Sequence, residues 1–149
     1  MSESPTSPVE STTASAEGLK HGELSGKADD PVIWLATVSQ AGQPSIRPVW
    51  FVLHEGKLVT FSTPKAWKVR HVQANPAVSV TFHTDRAAKS VLVVTGRAEV
   101  TLEGTPPSAI PAYWKKYETE MNHYGYTPER FDELYPVRIT ITPDKSWGW

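Results

Sequence analysis

The short connections in the first half of the chain constrain its fold more than any other feature. Val32-Ile33-Trp34-Leu35-Ala36-Thr37-Val38 is rich in branched and aromatic residues and predicts a strand. Gln40-Ala41-Gly42-Gln43 is a turn, and Pro44 to His54 predicts a second, long strand. Glu55-Gly56 is a tight hairpin turn into a third strand, Leu58 to Phe61. A parallel crossover takes roughly a dozen residues or more, which neither connection has, so an antiparallel sheet is expected. Val78 to His83 and Ser90 to Leu102 add two strands, the second with Gly96 as a bulge or bend. Beyond Gly104–Pro107, the apolar positions Ile110, Tyr113, Trp114, Tyr117, Met121 and Tyr124 follow helical spacing. Thr127-Pro128-Glu129 starts another short helix with a cap and a proline, and Val137 to Thr142 is the last strand. About six strands with inserted helices predict a mainly β domain, a small closed or nearly closed antiparallel barrel.

A barrel of that size is filled by its own side chains, so a ligand must sit in a groove at the rim or between subunits. Trp67, Trp114, Trp147 and Trp149 are more than one small core can hold. Some of them either line a dimer interface or a flat apolar ligand, or pack the helices onto the barrel.

With 149 residues, 39% of them hydrophobic, the chain can build one domain with a real core, expected over residues 19–149. Residues 1–18 are Ser, Thr, Pro, Glu and Ala with almost no hydrophobes, the composition of a disordered tail. They lack the basic start and apolar stretch of a signal peptide. A net charge of -1 argues for neither nucleic acid nor an anionic membrane as the main partner. No apolar run approaches the roughly 20 residues of a membrane span. The absence of cysteine removes disulfides, thiolate nucleophiles and cysteine-ligated metals, and fits a cytoplasmic location.

The usual catalytic signatures are missing: no G-x-S-x-G, Walker loop, G-x-G-x-x-G or H-E-x-x-H. His21, His54, His71, His83 and His123 show no close pairing at metal-ligand spacing, so no metal site is expected. Asp29-Asp30 and Asp132-Glu133 are adjacent pairs that point in different directions, which suits solvated surface better than acid/base work. No catalytic side chain is expected, and an enzyme built on these residues needs a cofactor for its reactive atom.

Phe61-Ser62-Thr63-Pro64-Lys65-Ala66-Trp67-Lys68-Val69-Arg70-His71 is where such a group would bind. Thr63 reads as an N-cap with Pro64 at the first helical position. Ala66, Val69 and Val72 are spaced to face a core, and Asn75-Pro76 closes the helix. Lys65 and Lys68 then fall in the first turns, where the helix dipole disfavours cations. Either an anion such as a phosphate binds there, or this is a basic surface helix.

Ile46-Arg47-Pro48-Val49-Trp50-Phe51, Phe61-Ser62-Thr63 through Lys68-Val69-Arg70, Ala74-Asn75-Pro76 and Thr95-Gly96-Arg97-Ala98-Glu99 come in a recognisable order and spacing. Together they resemble the pyridoxamine 5′-phosphate oxidase-like split β-barrel superfamily. Tyr124-Gly125-Tyr126-Thr127-Pro128-Glu129-Arg130-Phe131 with Pro136-Val137-Arg138-Ile139 resembles its branch of probable deazaflavin (coenzyme F-420)-dependent enzymes. The resemblance implies a homodimer with two cofactor sites, each built from both chains. It implies that Lys68 and Arg47 hold the cofactor phosphate, with Ser62 and Thr63 beside it. Pro48, Val49 and Trp50 would run along the ring system, and Lys65, Val69 and Arg70 would lie near the anionic end. Arg47, on an alternating strand, would otherwise point to solvent.

Two departures separate the chain from the pyridoxamine phosphate oxidases themselves. Trp67 stands where those enzymes place an arginine, and the end Trp147-Gly148-Trp149 replaces their substrate-binding arginine pattern. The resemblance therefore implies an oxidoreductase passing hydride from reduced coenzyme F-420 to a small organic acceptor. FMN is the alternative cofactor, and a flavin- or tetrapyrrole-binding protein without turnover is the reading from another class.

Overall fold

The computed structural model describes residues 12–13 and 24–149, so most of the stretch read as a tail lies outside the described residues. Seven strands carry the fold: β1 (Ile33–Val38), β2 (Pro44–Val49), β3 (Val52–His54), β4 (Lys57–Ser62), β5 (Ala77–Thr81), β6 (Leu92–Thr101) and β7 (Val137–Gly148). Among the described residues three helices are inserted between strands, α1 (Trp67–Ala74), α2 (Pro111–His123) and α3 (Pro128–Leu134), with a 3₁₀ turn at Pro107–Ala109. All pairings are antiparallel, in the order β2-β1-β5-β6-β7-β4-β3. A two-residue strand, Thr12–Thr13, also pairs with β7 at Ser146 and Lys145.

That order explains the barrel. β2 and β3 lie on opposite edges of the sheet, yet only Trp50 and Phe51 separate them in sequence. A sheet whose two edges are joined by two residues must curl until the edges meet, the shape of a split barrel. Pro44 to His54 is therefore not one strand as the β pattern predicts. The chain leaves one edge at Val49 and enters the other at Val52. Between them the backbone of Phe51 has no ladder partner, and α2 supplies one. The Phe51 N–H donates to the Tyr117 hydroxyl (2.8 Å), and its carbonyl accepts from Lys116 Nζ (3.0 Å). Buried backbone groups must be paired, and here side chains do what a strand does elsewhere.

The turns follow sequence chemistry. Glu55 and Gly56 both take positive φ (54° and 78°), the pair of left-handed residues that a two-residue hairpin requires. Gly96 sits at a register shift between β6 and β7, and a Cβ there would lie 2.2 Å from the Thr142 carbonyl oxygen. Thr127 caps α3, its hydroxyl accepting from the Arg130 N–H (3.1 Å). β7 runs six residues past the predicted end at Thr142, because Lys145, Ser146 and Trp147 pair with Thr95, Val94 and Val93. Asp144-Lys145-Ser146 hides this extension from a hydrophobic pattern.

Two apolar clusters result. Ile33, Leu35, Phe51, Leu58, Val80, Val94, Ile139 and Ile141 fill the barrel, with Val69 and Val72 of α1 closing one end. Val52, Val59 and Phe61 pack outside it against Tyr113, Tyr117 and Met121 of α2 and Phe131 of α3. β4 is thus buried on both faces, Leu58 inward and Val59 outward, which accounts for an apolar run interrupted only by the buried Thr60.

Candidate functional site

Two cavities of unlike chemistry adjoin where β2 ends and α1 begins. The larger, about 680 Å³, mixes polar and cationic side chains with Leu35, Pro44 and Ile46 and runs along β1 and the free edge of β2. Thr37, Ser39, Gln43, Ser45, Arg47, Trp67, Lys68 and His71 are among its walls. The smaller, about 290 Å³, is lined by Val49, Trp50, Phe61, Tyr113, Tyr124, Tyr126, Phe131 and Tyr135. Pro48 and Lys68 belong to both.

Strand register decides where Arg47 points. It pairs with Leu35, a barrel-interior residue, so it stands on the concave side and not on the convex face. Because β2 is an edge strand, that side opens to the polar cavity. Arg47 Nη1 donates to the Ile46 carbonyl (2.7 Å). Burial, and then the charge of Arg47, push the Lys68 ammonium below the usual lysine range. Among the described residues neither cation has a carboxylate within ion-pair distance. Two cations at one cavity, repelling each other and without a counter-charge, are arranged for an anion. His71 is steadied beside them by a hydrogen bond between its Nδ1 and the Thr37 hydroxyl (2.9 Å).

The helix itself differs from expectation. α1 starts at Trp67, with Ala66 in an extended conformation and no side-chain cap. Thr63 does not cap it; Thr63 to Ala66 form a turn closed by the Ala66 N–H on the Thr63 carbonyl (3.2 Å). That turn redirects the chain after β4 so that Val69 and Val72 reach the barrel end. Lys65 consequently precedes the helix, and only Lys68 lies in its first turn.

The expected cofactor residues divide accordingly. Arg47, Pro48, Val49, Trp50 and Lys68 come together around the two cavities. Ser62 is buried and shares the inward face of β4 with Leu58, away from both. Val69 is 1% exposed in the core, and its amide is already bonded to the Ala66 carbonyl (3.1 Å). Thr63 and Lys65 line neither cavity, nor does Arg70, whose guanidinium lies 5.1 Å from the Trp67 ring centre.

The sequence pointed to Pro48, Val49, Trp50 and Lys68, but not to the four tyrosines and Phe131 that complete the aromatic cavity. Its rings brace one another: Trp50 stacks on Tyr117 (4.4 Å, 4°), Phe61 meets Tyr113 edge-on (5.0 Å), and Phe131 contacts Tyr135 (4.6 Å). The Tyr126 and Tyr135 hydroxyls are hydrogen-bonded at 3.3 Å. Tyr135 is raised above the usual phenol range, first by that bond and then by burial, so it keeps its proton. A signal was present: all five tyrosines fall between positions 113 and 135.

A family model described as pyridoxamine 5′-phosphate oxidase matches residues 24–143. The chain belongs to this family. A pyridoxine/pyridoxamine 5′-phosphate oxidase of Bacteroides fragilis is 36% identical over 64 residues, covering 42% of this chain and 27% of that protein. The chain thus matches little more than a quarter of that relative's length. Among solved structures, an F420 reductase superimposes with a TM-score of 0.59 at 24% identity, over 81% of this chain and 93% of its own. HutZ, a heme storage protein from Vibrio cholerae, gives 0.59 at 16% identity, over 83% and 89%. These likenesses establish the shared fold. Among the described residues no helix is long and apolar enough to cross a membrane.

Proposed function

We propose that the chain is an oxidoreductase that uses coenzyme F-420 to reduce a small organic acceptor. The observation that carries the reading is the junction of a polar, cationic cavity with an aromatic one at Pro48 and Lys68. A molecule seated in one lies against a molecule seated in the other, which hydride transfer requires. The residues suit an anionic cofactor: Arg47 and Lys68 would hold its phosphate, and Pro48, Val49 and Trp50 offer a flat apolar strip to its ring. Trp67 thins the cationic cluster relative to one with arginine there, while the 680 Å³ groove with His71 on its wall has room for a long anionic tail. Lys65, in the turn before α1, and Arg70, on α1, stand outside it.

The cofactor, when bound, supplies the hydride. The chain's part would be to fix the anion through Arg47 and Lys68, seat the ring along Pro48, Val49 and Trp50, and keep water out. No side chain needs to act as acid or base. The likeness to an F420 reductase supports this choice over FMN, the alternative cofactor. The likeness to a heme storage protein supports a second reading, ligand carriage without turnover.

The functional unit in this reading is a homodimer. On the convex face, Trp34, Thr81, Val93 and Trp147 lie side by side across β1, β5, β6 and β7, with Ile46 beside Ala36 in the next row. Trp34 and Trp147 remain 39% and 38% exposed, a row of apolar surface that a second copy would cover.

Fluorescence titration of the purified protein with coenzyme F-420 and separately with FMN tests the assignment. Tight binding of the deazaflavin, weakened by about 1–3 kcal/mol in Lys68→Ala, is expected. FMN binding alone would transfer the chain to the flavin enzymes. Deazaflavin binding without reduction of any acceptor would favour carriage.

A further inference from the structure

Helix α1 serves two sides of the molecule. Val69 and Val72 pack into the barrel end, while Trp67, Lys68 and His71 line the cationic groove. Trp67 and Lys68 lie four and three residues before His71, so the three share one face of the helix. His71 is held through one ring nitrogen. Its Nδ1 shares a hydrogen bond with the hydroxyl of Thr37, which is 3% exposed. A hydroxyl both donates and accepts, so this bond survives whether the imidazole is neutral or charged. Nε2 is turned away from Thr37 and has no hydrogen-bond partner among the described residues.

The charges facing this imidazole are nearly all of one sign. α1 itself carries Lys68 and Arg70, the preceding turn carries Lys65, and β2 contributes Arg47. β1 and β5 carry no titratable side chain. β6, which also packs against α1, offers Arg97 and Glu99, both exposed on its outward side because Ala98 between them faces inward. No carboxylate lines the groove. An anion seated there is attracted by every positive charge on the wall, so a proton on His71 strengthens its hold. By linkage the anion draws that proton in.

We propose that His71 is a third ligand of the groove's anion, contributing a charged N–H through Nε2 only once it takes up a proton, so that a tetrahedral dianion binds more tightly as pH falls. The inference rests on the reading of the groove as the seat of an anionic cofactor, and deepens it by giving that seat a pH dependence. An imidazole changes charge between pH 5 and 8, the range in which such a control operates in cells.

The test is titration of the full-length protein, without cofactor, with sodium sulfate at constant ionic strength, read by tryptophan fluorescence because Trp67 lines the same wall. Sulfate keeps both charges throughout, whereas a phosphate monoester takes up a proton near pH 6, at about its second pKa. Affinity is expected to rise about 5- to 20-fold from pH 8 to pH 5.5, the gain of one charged hydrogen bond. Lys68, lowered by burial and by Arg47, also weakens anion binding as pH rises. His71→Asn separates the two, since it keeps Lys68 and can keep the bond to Thr37, and it is expected to flatten the profile over this range. Calorimetry at pH 6.5 in buffers of different ionisation enthalpy needs no variant, and proton uptake on sulfate binding is expected. Equal affinity at both pH values, no proton uptake, or an unchanged profile in His71→Asn would overturn the proposal and leave the anion site in place. No sulfate binding at either pH would overturn both. Displacement of sulfate by coenzyme F-420 or by FMN would assign the site to that cofactor's phosphate. Displacement by neither, with the pH dependence intact, would leave the role of His71 standing and remove the cofactor assignment.

Discussion

Replacing Tyr117 by Phe removes one oxygen atom and tests the feature on which the barrel closes. The hydroxyl accepts from the Phe51 N–H (2.8 Å) and donates to the Pro31 carbonyl (2.8 Å), with the Phe51 carbonyl 3.0 Å away. After the change the Phe51 carbonyl keeps Lys116 Nζ, and the exposed Pro31 carbonyl can turn to water. The Phe51 N–H has no such recourse, because the residue is completely buried. The ring stays, with its stack on Trp50, so no cavity opens. The expected loss is therefore that of one stranded buried donor, about 2 kcal/mol within a usual range of roughly 1–3. For a domain of this size it corresponds to a melting temperature lower by roughly 4–8 °C. Urea denaturation followed by circular dichroism, with a thermal scan beside it, measures both. A midpoint indistinguishable from the parent would mean that α2 does not satisfy the strand break, and the account of closure would fall.

Three further outcomes follow from particular residues. Gly96→Ala forces a methyl against the Thr142 backbone oxygen and is expected to cost about 1–3 kcal/mol in urea denaturation, since the obstacle is main chain. Burial lowers Lys116 to about 8, although Asp29 and Asp30 pull it the other way. Between pH 8 and 10 the unfolded chain then binds more protons at this residue than the folded one, so its contribution makes stability rise with pH. The pH dependence of the urea midpoint should accordingly be flatter over that range in Lys116→Met, and an unchanged slope would contradict it. Trp34→Glu places a carboxylate in the convex apolar row and is expected to shift the protein from dimer to monomer in sedimentation velocity. A parent already monomeric would refute that face as an interface.

Much of the architecture was legible because its signals are local. Branched residues mark β1 and β5, Glu55-Gly56 announces its hairpin, and Gly96 its bulge. The Thr127-Pro128 cap of α3 needs only neighbours in sequence. The same logic failed at Thr63-Pro64, where equally good cap chemistry forms a turn and the helix begins at Trp67. Packing of Val69 and Val72 into the barrel end set the helix position there, and that demand outweighed a cap bond. Arg47 and Lys68 were identifiable as candidate anion ligands, but Ser62 was not separable from them. Only its inward orientation on a strand buried from both sides removes it from the cavity wall.

By itself the sequence determined the antiparallel β character, the Glu55-Gly56 hairpin, the bulge at Gly96 and the cap of α3. These depend on residue types within a few positions of one another. The tertiary structure alone decided that Pro44 to His54 would split between two sheet edges, because the partner that permits the break, Tyr117, lies 66 residues away from Phe51. It also decided that rings from the β2–β3 break, β4, α2, α3 and the segments that follow these helices would enclose one small cavity beside the cationic groove. Such contacts arise only when the sheet curls, and no local pattern encodes which side chains then face each other.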